Sequence, residues 1–226
     1  MKYLIIYCLL FLWRLPIYSQ YIEFPTKDIY DTETMMITLN EVRGTTITDR
    51  KLAYYMSPII NDLFDAYYEG NYSECKNSID EIFNNIKFYK RQYAIYSPLY
   101  YLRGMSLMQL GDNYSGLKDL VSAMNANSLE AAKALQNYFL QYCNNAHQFL
   151  LNNQLNDCLA QVQLALSTNY YNAQIYEIAG IVYEKMNSFY TARSYYRQAK
   201  KYGSINASEM LKQLKRHEKN YKKYRE

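Results

Sequence analysis

A spaced set of large and small residues recurs along the chain, and this recurrence restricts the possible folds more than any other feature of the sequence. Moving from Tyr176 toward the N-terminus, matching sets follow after steps of 34, 42 and 41 residues. The first three members of each set, and again the last three, have the spacing i, i+4, i+7, which places them on one face of a helix. Each set therefore predicts two helices. The sets are Tyr176, Gly180, Tyr183, Ala192, Tyr196 and Ala199; Tyr142, Ala146, Phe149, Cys158, Val162 and Ala165; Tyr100, Gly104, Leu107, Gly116, Leu120 and Ala123; and, as the weakest match, Ile59, Leu63, Ala66, Cys75, Ile79 and Ile82.

Turn-forming dipeptides separate the two halves of every set, so each unit is predicted to fold as helix, tight turn, helix. The small residues in each half allow the two helix axes to approach closely. Only 7 Gly and 4 Pro occur in 226 residues, whereas an all-β chain needs frequent turns. These observations predict an all-α chain. The dipeptides are Gly70-Asn71, Gly111-Asp112, Asn152-Asn153 and Asn187-Ser188.

This arrangement resembles the tetratricopeptide repeat, a helix pair of 34 residues with large and small residues at these spacings. The stretch from Ala173 to Asn206 fits best, whereas Asn145 stands where the family prefers Leu and no unit ends in the family's Pro. The resemblance implies an all-α, right-handed solenoid of about four units with a C-terminal capping helix. The units are about 56–89, 97–130, 139–172 and 173–206, within a repeat array over 48–206.

Two units are followed by 7 and 8 residues beyond the repeat length, near 84–96 and 131–138. Seven residues make about two helical turns, so such an insertion lengthens a helix while nearly keeping its apolar face. We therefore expect longer helices at both places.

Residues 1–19 have the pattern of a secretory signal peptide, with a basic residue near the start, an uncharged apolar run from Tyr3 to Trp13 and the small Ser19. The run is shorter than the roughly 20 apolar residues that span a membrane. We expect cleavage after Ser19 and export to the periplasm or cell envelope, with secretion as a further destination. An uncleaved membrane anchor is the alternative, because Arg14 and Tyr18 make the cleavage site imperfect.

Two segments flank the array. Residues 20–47 do not follow the repeat and are predicted to form an extended N-terminal arm. Residues 207–226 are predicted to form a basic capping helix, with Asn206 and Glu209 as its N-terminal cap pair. A polar outer face is expected of a terminal cap in a stack of repeats. The alternative for this helix is a basic patch that faces acidic lipid or a polyanion.

Charge and motifs exclude several function classes. Without Lys2 and Arg14 the chain carries 23 basic against 21 acidic residues, which is not the basic surface of a nucleic-acid-binding protein. The sequence has no Gly-rich phosphate loop, HExxH, CxxC or GxSxG motif. Cys143 and His147 lie one helical turn apart, but zinc needs three or four ligands. We therefore predict a protein that is not an enzyme and needs no metal or cofactor.

The resemblance also implies a binding surface. In the family, the first helix of each pair lines a concave groove that holds a peptide or a partner helix. The sequence thus predicts a non-catalytic scaffold that binds a protein or peptide, binds no nucleic acid, and meets a membrane only if residues 1–19 stay attached. The alternative is a membrane-anchored structural or assembly subunit whose groove is filled by its own N-terminal arm. The positions that match the groove lining are Ile60, Phe64, Tyr67, Tyr101, Met105, Met108, Cys143, His147, Leu150, Glu177, Ile181 and Glu184.

Overall fold

The computed structural model describes residues 47–85 and 93–223, and within these ranges all regular structure is helical. The prediction of an all-α chain is thus confirmed for this part of the protein. The predicted signal peptide, the arm up to residue 46 and most of the insertion near 84–96 lie outside the described residues. In chain order the helices are α1 (Ile47–Tyr68), α2 (Tyr72–Asn85), α3 (Tyr93–Gln109), α4 (Asn113–Asn125), α5 (Leu129–Leu151), α6 (Leu155–Ser167), α7 (Ala173–Lys185), α8 (Phe189–Lys201) and α9 (Ala207–Lys223).

The turns inside the four predicted units share one backbone structure. Each contains a residue with positive φ, at Gly70 (83°), Gly111 (87°), Asn153 (57°) and Asn187 (59°). The N–H groups of this residue and the next one donate to carbonyls three and five residues earlier, which is the hydrogen bonding of the Schellman motif. Gly adopts positive φ without strain, and Asn tolerates it better than most residues do. The predicted turn positions are therefore confirmed.

Small residues bring the two helices of a pair into close contact. A Cβ atom added to Gly104 would lie 3.0 Å from the carbonyl oxygen of Gly116, and one added to Gly116 would lie 2.9 Å from that of Gly104. At Gly180 an added Cβ would lie 2.4 Å from two ring carbons of Tyr196. The predicted role of these small residues in helix approach is confirmed.

Cysteines occupy the corresponding crossing in two other pairs. The Cys75 thiol donates to the carbonyl of Leu63 at 3.5 Å, and the Cys158 thiol donates to the carbonyl of Ala146 at 3.1 Å. Both cysteines are fully buried, and burial raises the pKa of the Cys158 thiol to about 11. A thiol is small enough for this crossing, and its weak S–H donor finds a backbone acceptor there.

Successive pairs pack against each other in chain order. The second helix of each pair contacts the first helix of the next, and α8 contacts α9 in the same way. A main hydrophobic cluster of buried side chains runs from Met56 of α1 to Ala207 of α9, and a second cluster, of Phe189, Ala192, Tyr196 and Leu214, lies between α8 and α9. Residues 131–138 lie within α5, so the second insertion lengthens a helix as predicted. Across the described residues, none of the helices is both long enough and apolar enough to cross a membrane.

A charged cluster joins the first pair to the second. Arg103 of α3 donates from Nε and Nη2 to the Asp119 carboxylate of α4 at 2.6 and 3.0 Å, and from Nη1 to Asp80 of α2 at 2.7 Å. Its guanidinium carbon lies 4.4 Å from the centre of the Phe83 ring. Burial on its own would raise the pKa of the Asp80 carboxyl. Hydrogen bonds from Lys76 and Arg103 outweigh this effect, so the pKa of Asp80 lies below its ordinary value.

Helix α9 packs on α8, the position expected of a terminal cap. Leu214 is fully buried, and the ring of Tyr221 lies 5.3 Å from that of Phe189. Arg193 of α8 donates to Glu218 of α9 at 2.5 Å. Apolar contact and an ion pair together attach this helix to the last pair.

α9 begins directly after Asn206, as predicted, and the Asn206 carbonyl accepts the N–H of Met210 at 3.0 Å, but in the described chain the side chains of Asn206 and Glu209 do not form the predicted cap pair. The hydroxyl of Ser204 instead accepts the N–H groups of Asn206 and Ala207 at 3.2 and 2.9 Å. Ser204 also donates to the carboxylate of Glu177 on α7. The helix start is therefore tied to the preceding pair, a contact between distant residues that a local capping pattern does not encode.

Candidate functional site

The structure divides the predicted groove residues into two classes. Ile60, Phe64, Tyr67, Tyr101 and Met105 are at most 6% exposed and belong to the hydrophobic core, as does the neighbouring Cys143. These side chains offer almost no surface to a partner. The half-buried class, which keeps accessible atoms, consists of Met108, His147, Leu150, Glu177, Ile181 and Glu184.

Glu184 and Glu177 already have partners within the chain. The Glu184 carboxylate accepts a hydrogen bond from the Tyr196 hydroxyl at 2.7 Å and lies 3.1 Å from Nδ1 of His217 on α9. Burial, together with this carboxylate, raises the pKa of Tyr196, so its hydroxyl stays a neutral donor. These acidic residues connect α7 to the C-terminal end of the molecule.

Met108 borders a cleft of about 390 Å³ where the second pair meets the third. Amide side chains from four helices surround it, and the buried Tyr138, Tyr142 and Leu164 form its floor. Among the described residues that line it, none carries a charge. We call this site the amide cleft; its amide residues are Gln109, Asn113, Gln141, Asn145 and Gln161.

Helix geometry explains how the amides converge. Gln141 and Asn145 lie one turn apart on α5 and therefore share a face, while Gln109 ends α3 and Asn113 begins α4 after the tight turn. Asn145 donates through Nδ2 to Oε1 of Gln161 on α6 at 3.2 Å, which links the two helices of the third pair. The long α5 spans the junction and carries the central side chains of the cleft.

The two tyrosines of the cleft floor pack against each other. The rings of Tyr138 and Tyr142 are stacked with centroids 6.2 Å apart. Burial raises the pKa of Tyr142 to about 12 and raises that of Tyr138 as well. Their hydroxyls therefore remain neutral at physiological pH, when they can both donate and accept hydrogen bonds.

The chemistry of the amide cleft suits a neutral ligand with alternating donors and acceptors. Each Asn or Gln side chain offers a carbonyl acceptor and an NH₂ donor, the same groups that a peptide backbone presents. The Tyr and Leu floor can receive an apolar side chain. A few directed polar groups over an apolar floor are typical of binding sites.

One signal for this site was visible in the sequence. Asn145 departs from the Leu that the repeat family prefers, and the structure places it at the wall of the cleft beside Gln161. Gln109, Asn113 and Gln141 carry no such mark, because exposed amides on helices are common and no repeat position distinguishes them.

Within the described residues, no three His, Cys, Asp or Glu side chains are grouped closely enough to hold a metal ion. Cys143 is buried, and burial raises the pKa of its thiol to about 12.

Comparison with known proteins gives no relative: the chain matches no protein-family model, no curated protein and no solved structure.

Proposed function

We propose that this chain is a non-catalytic interaction scaffold of the cell envelope that binds a peptide segment or a partner helix of another protein. The amide cleft is the centre of the proposed binding site. The observation that carries the proposal is the convergence of five neutral amides over a Tyr and Leu floor at a junction between helix pairs.

We further propose that the four helix pairs form a right-handed solenoid of tetratricopeptide type. Support comes from the four identical turns, from the close helix crossings at equivalent positions and from the packing of successive pairs in chain order. Repeat stacks of this kind curve and offer an extended surface to partners.

The proposed location follows from residues 1–19. Export with cleavage after Ser19 predicts a mature chain that begins at Gln20. Sequencing the N-terminus of the protein isolated from its own host tests this, and a chain that retains residues 1–19 supports a membrane-anchored subunit instead.

Peptide selection tests the proposed binding site. A random peptide library displayed on phage is selected against the purified protein, and a recovered peptide is labelled for fluorescence anisotropy. Replacing two amides, Gln141→Leu with Gln161→Leu, removes hydrogen bonds worth about 0.5–1.5 kcal/mol each. The dissociation constant is therefore expected to rise about tenfold.

The matched control is Gln148→Leu, which makes the same chemical change at an exposed position of α5 outside the amide cleft. It is expected to bind like the unaltered protein. Equal binding by all three proteins, or a selection that yields no specific peptide, contradicts the proposal.

A further inference from the structure

The first helix pair carries an apolar cleft of about 500 Å³ between α1 and α2. Leu63 and Met56 form its buried floor, and Ile59 at its edge is 42% exposed. Three exposed carboxylates, of Asp62, Glu74 and Glu81, stand around it. We call this site the acidic cleft.

In the later pairs, the equivalent surface is covered by the preceding pair. Ile59 corresponds in the repeat to Tyr100, whose ring packs against Phe83 of α2 with centroids 4.8 Å apart. The second helix of one pair contacts the first helix of the next throughout the described chain. The acidic cleft is thus the surface on which one more packed element would fit.

This end of the molecule is strongly acidic. Residues 56–85 contain six carboxylates and one basic residue, Lys76, which pairs with Asp80. In the described part of the protein, Asp62, Glu74 and Glu81 take part in no ion pair. A partner for the cleft therefore has to bring positive charge together with an apolar or aromatic group.

The other end of the chain has these properties. Residues 189–223 contain ten basic residues and two carboxylates, Glu209 and Glu218. Tyr190 is 84% exposed at the start of α8, next to Phe189, whose ring contacts Tyr221 of α9. The basic end, as we name α8 with α9, thus combines unpaired cations with a projecting aromatic ring. Its exposed cations without an ion pair in the described chain are Arg197, Lys200, Lys201, Lys215, Arg216, Lys219 and Lys223.

We propose that the acidic cleft binds the basic end of a second copy of this chain, so that copies associate head to tail. Both complementary surfaces belong to one chain and lie at opposite ends of its series of helix pairs. Such an interface is heterologous and leaves a free cleft and a free basic end on each dimer, so association continues into longer assemblies. Because exposed charges contribute most of the complementarity, the association weakens as salt screens them.

Sedimentation velocity tests the proposal. The protein is expressed from all 226 residues and purified after any cleavage of the N-terminal segment. Dimers and longer species are expected to grow with protein concentration in about 50 mM sodium chloride and to dissociate in about 500 mM. Tyr190→Ser is expected to weaken the association constant at least about tenfold, because it removes the projecting ring.

Charge reversal at each end supplies the decisive comparison. Glu74→Lys with Glu81→Lys turns two of the three carboxylates around the acidic cleft into cations, and Lys215→Glu with Lys219→Glu lowers the net charge of residues 189–223 from +8 to +4. Each protein alone is expected to associate at least about tenfold more weakly than the unaltered protein. Their equimolar mixture is expected to form heterodimers, because the unaltered basic end of the first variant meets the unaltered acidic cleft of the second. All four positions are exposed, so circular dichroism is expected to show unchanged helix content.

The control, Lys118→Glu with Lys133→Glu, makes the same charge change at exposed positions of α4 and α5 and is expected to associate like the unaltered protein. If the unaltered protein stays monomeric at about 300 µM in low salt, the proposal is overturned. The occupant of the cleft would then be residues 20–46 or a different protein. Association that either pair of substitutions leaves unweakened, or a mixture that associates no more tightly than its components alone, overturns it as well.

Discussion

Arg103 connects the first helix pair to the second, and replacing it by Met is expected to destabilise the fold measurably. The guanidinium makes three hydrogen bonds to Asp119 and Asp80 and covers the Phe83 ring. Met keeps much of the aliphatic length of the side chain but has no charge and no donors. Asp119, whose side chain is 10% exposed, then stays buried without its cation.

The magnitude follows from this burial. Removing one partner of a fully buried ion pair costs about 3–5 kcal/mol, and the 20% exposure of the Arg103 side chain reduces that cost, so we expect about 2–4 kcal/mol. In a chain of this size, each kcal/mol lowers the midpoint of thermal unfolding by about 2–4 °C. The expected shift is therefore roughly 6–12 °C for a loss near 3 kcal/mol.

A double-mutant cycle separates loss of the ion pair from general disruption. Asp119→Leu in the Arg103→Met chain removes the buried unpaired carboxylate, so the double variant is expected to recover most of the lost stability. Arg197→Met is the matched control, because Arg197 is exposed on α8 and is expected to change stability by less than about 0.5 kcal/mol.

The pH dependence adds a second measurement on the same variant. Burial raises the pKa of Asp119, and Arg103 opposes that rise. Without Arg103 the folded-state pKa rises further above the unfolded value, so protonation at low pH relieves the cost. The stability deficit is expected to be largest at neutral pH and to shrink as the pH falls. Additive effects of the two substitutions, or a deficit independent of pH, would refute this account.

Two further predictions concern the last pairs and the buried ionisable groups. Gly180→Ala places a methyl group 2.4 Å from the Tyr196 ring, so urea unfolding is expected to show a loss of about 1–2 kcal/mol despite the better helix propensity of Ala; unchanged stability contradicts the close crossing. Burial raises the pKa of Cys158 to about 11 and that of Tyr142 to about 12. The stability that these two neutral groups contribute to the fold is therefore fully present below about pH 9 and is lost as the pH rises through those pKa values. The urea midpoint is expected to fall between pH 9 and 12, less steeply in Cys158→Ala; a flat profile argues against this burial.

Much of the helical framework could be predicted because it depends on local chemistry. Gly and Asn mark the turns since few other residues accept positive φ, and small residues mark the helix crossings since larger ones do not fit. Gly104 and Gly116, for example, are only 12 residues apart, and the same spacing of small residues recurs in the other units, so the helix crossing could be recognised from the sequence. The start of α9 at residue 207 was predicted, but its side-chain cap was not, because that cap is Ser204, which is bound to Glu177, 27 residues away.

The candidate site could be predicted only in part. Periodicity identifies which face of a helix is apolar, but it does not say whether that face is covered, and Phe64 and Met105 proved to be in the core. The amide cleft depends on side chains such as Gln109 and Gln161 that meet only when two pairs pack. Among the residues of the amide cleft, only Asn145 was marked in the sequence, because it is polar at a position where the repeat favours an apolar residue.

The equivalent cysteines of the first and third pairs have a consequence for chemical reactivity. Thiolates react with oxidants and alkylating reagents, and burial raises the pKa values of Cys75 and Cys158, so at neutral pH both thiols are protonated as well as shielded. Modification then requires the helix pair around the thiol to open. Because the two cysteines lie in separate helix pairs, their relative labelling rates report which pair opens more readily, and no engineered probe is needed.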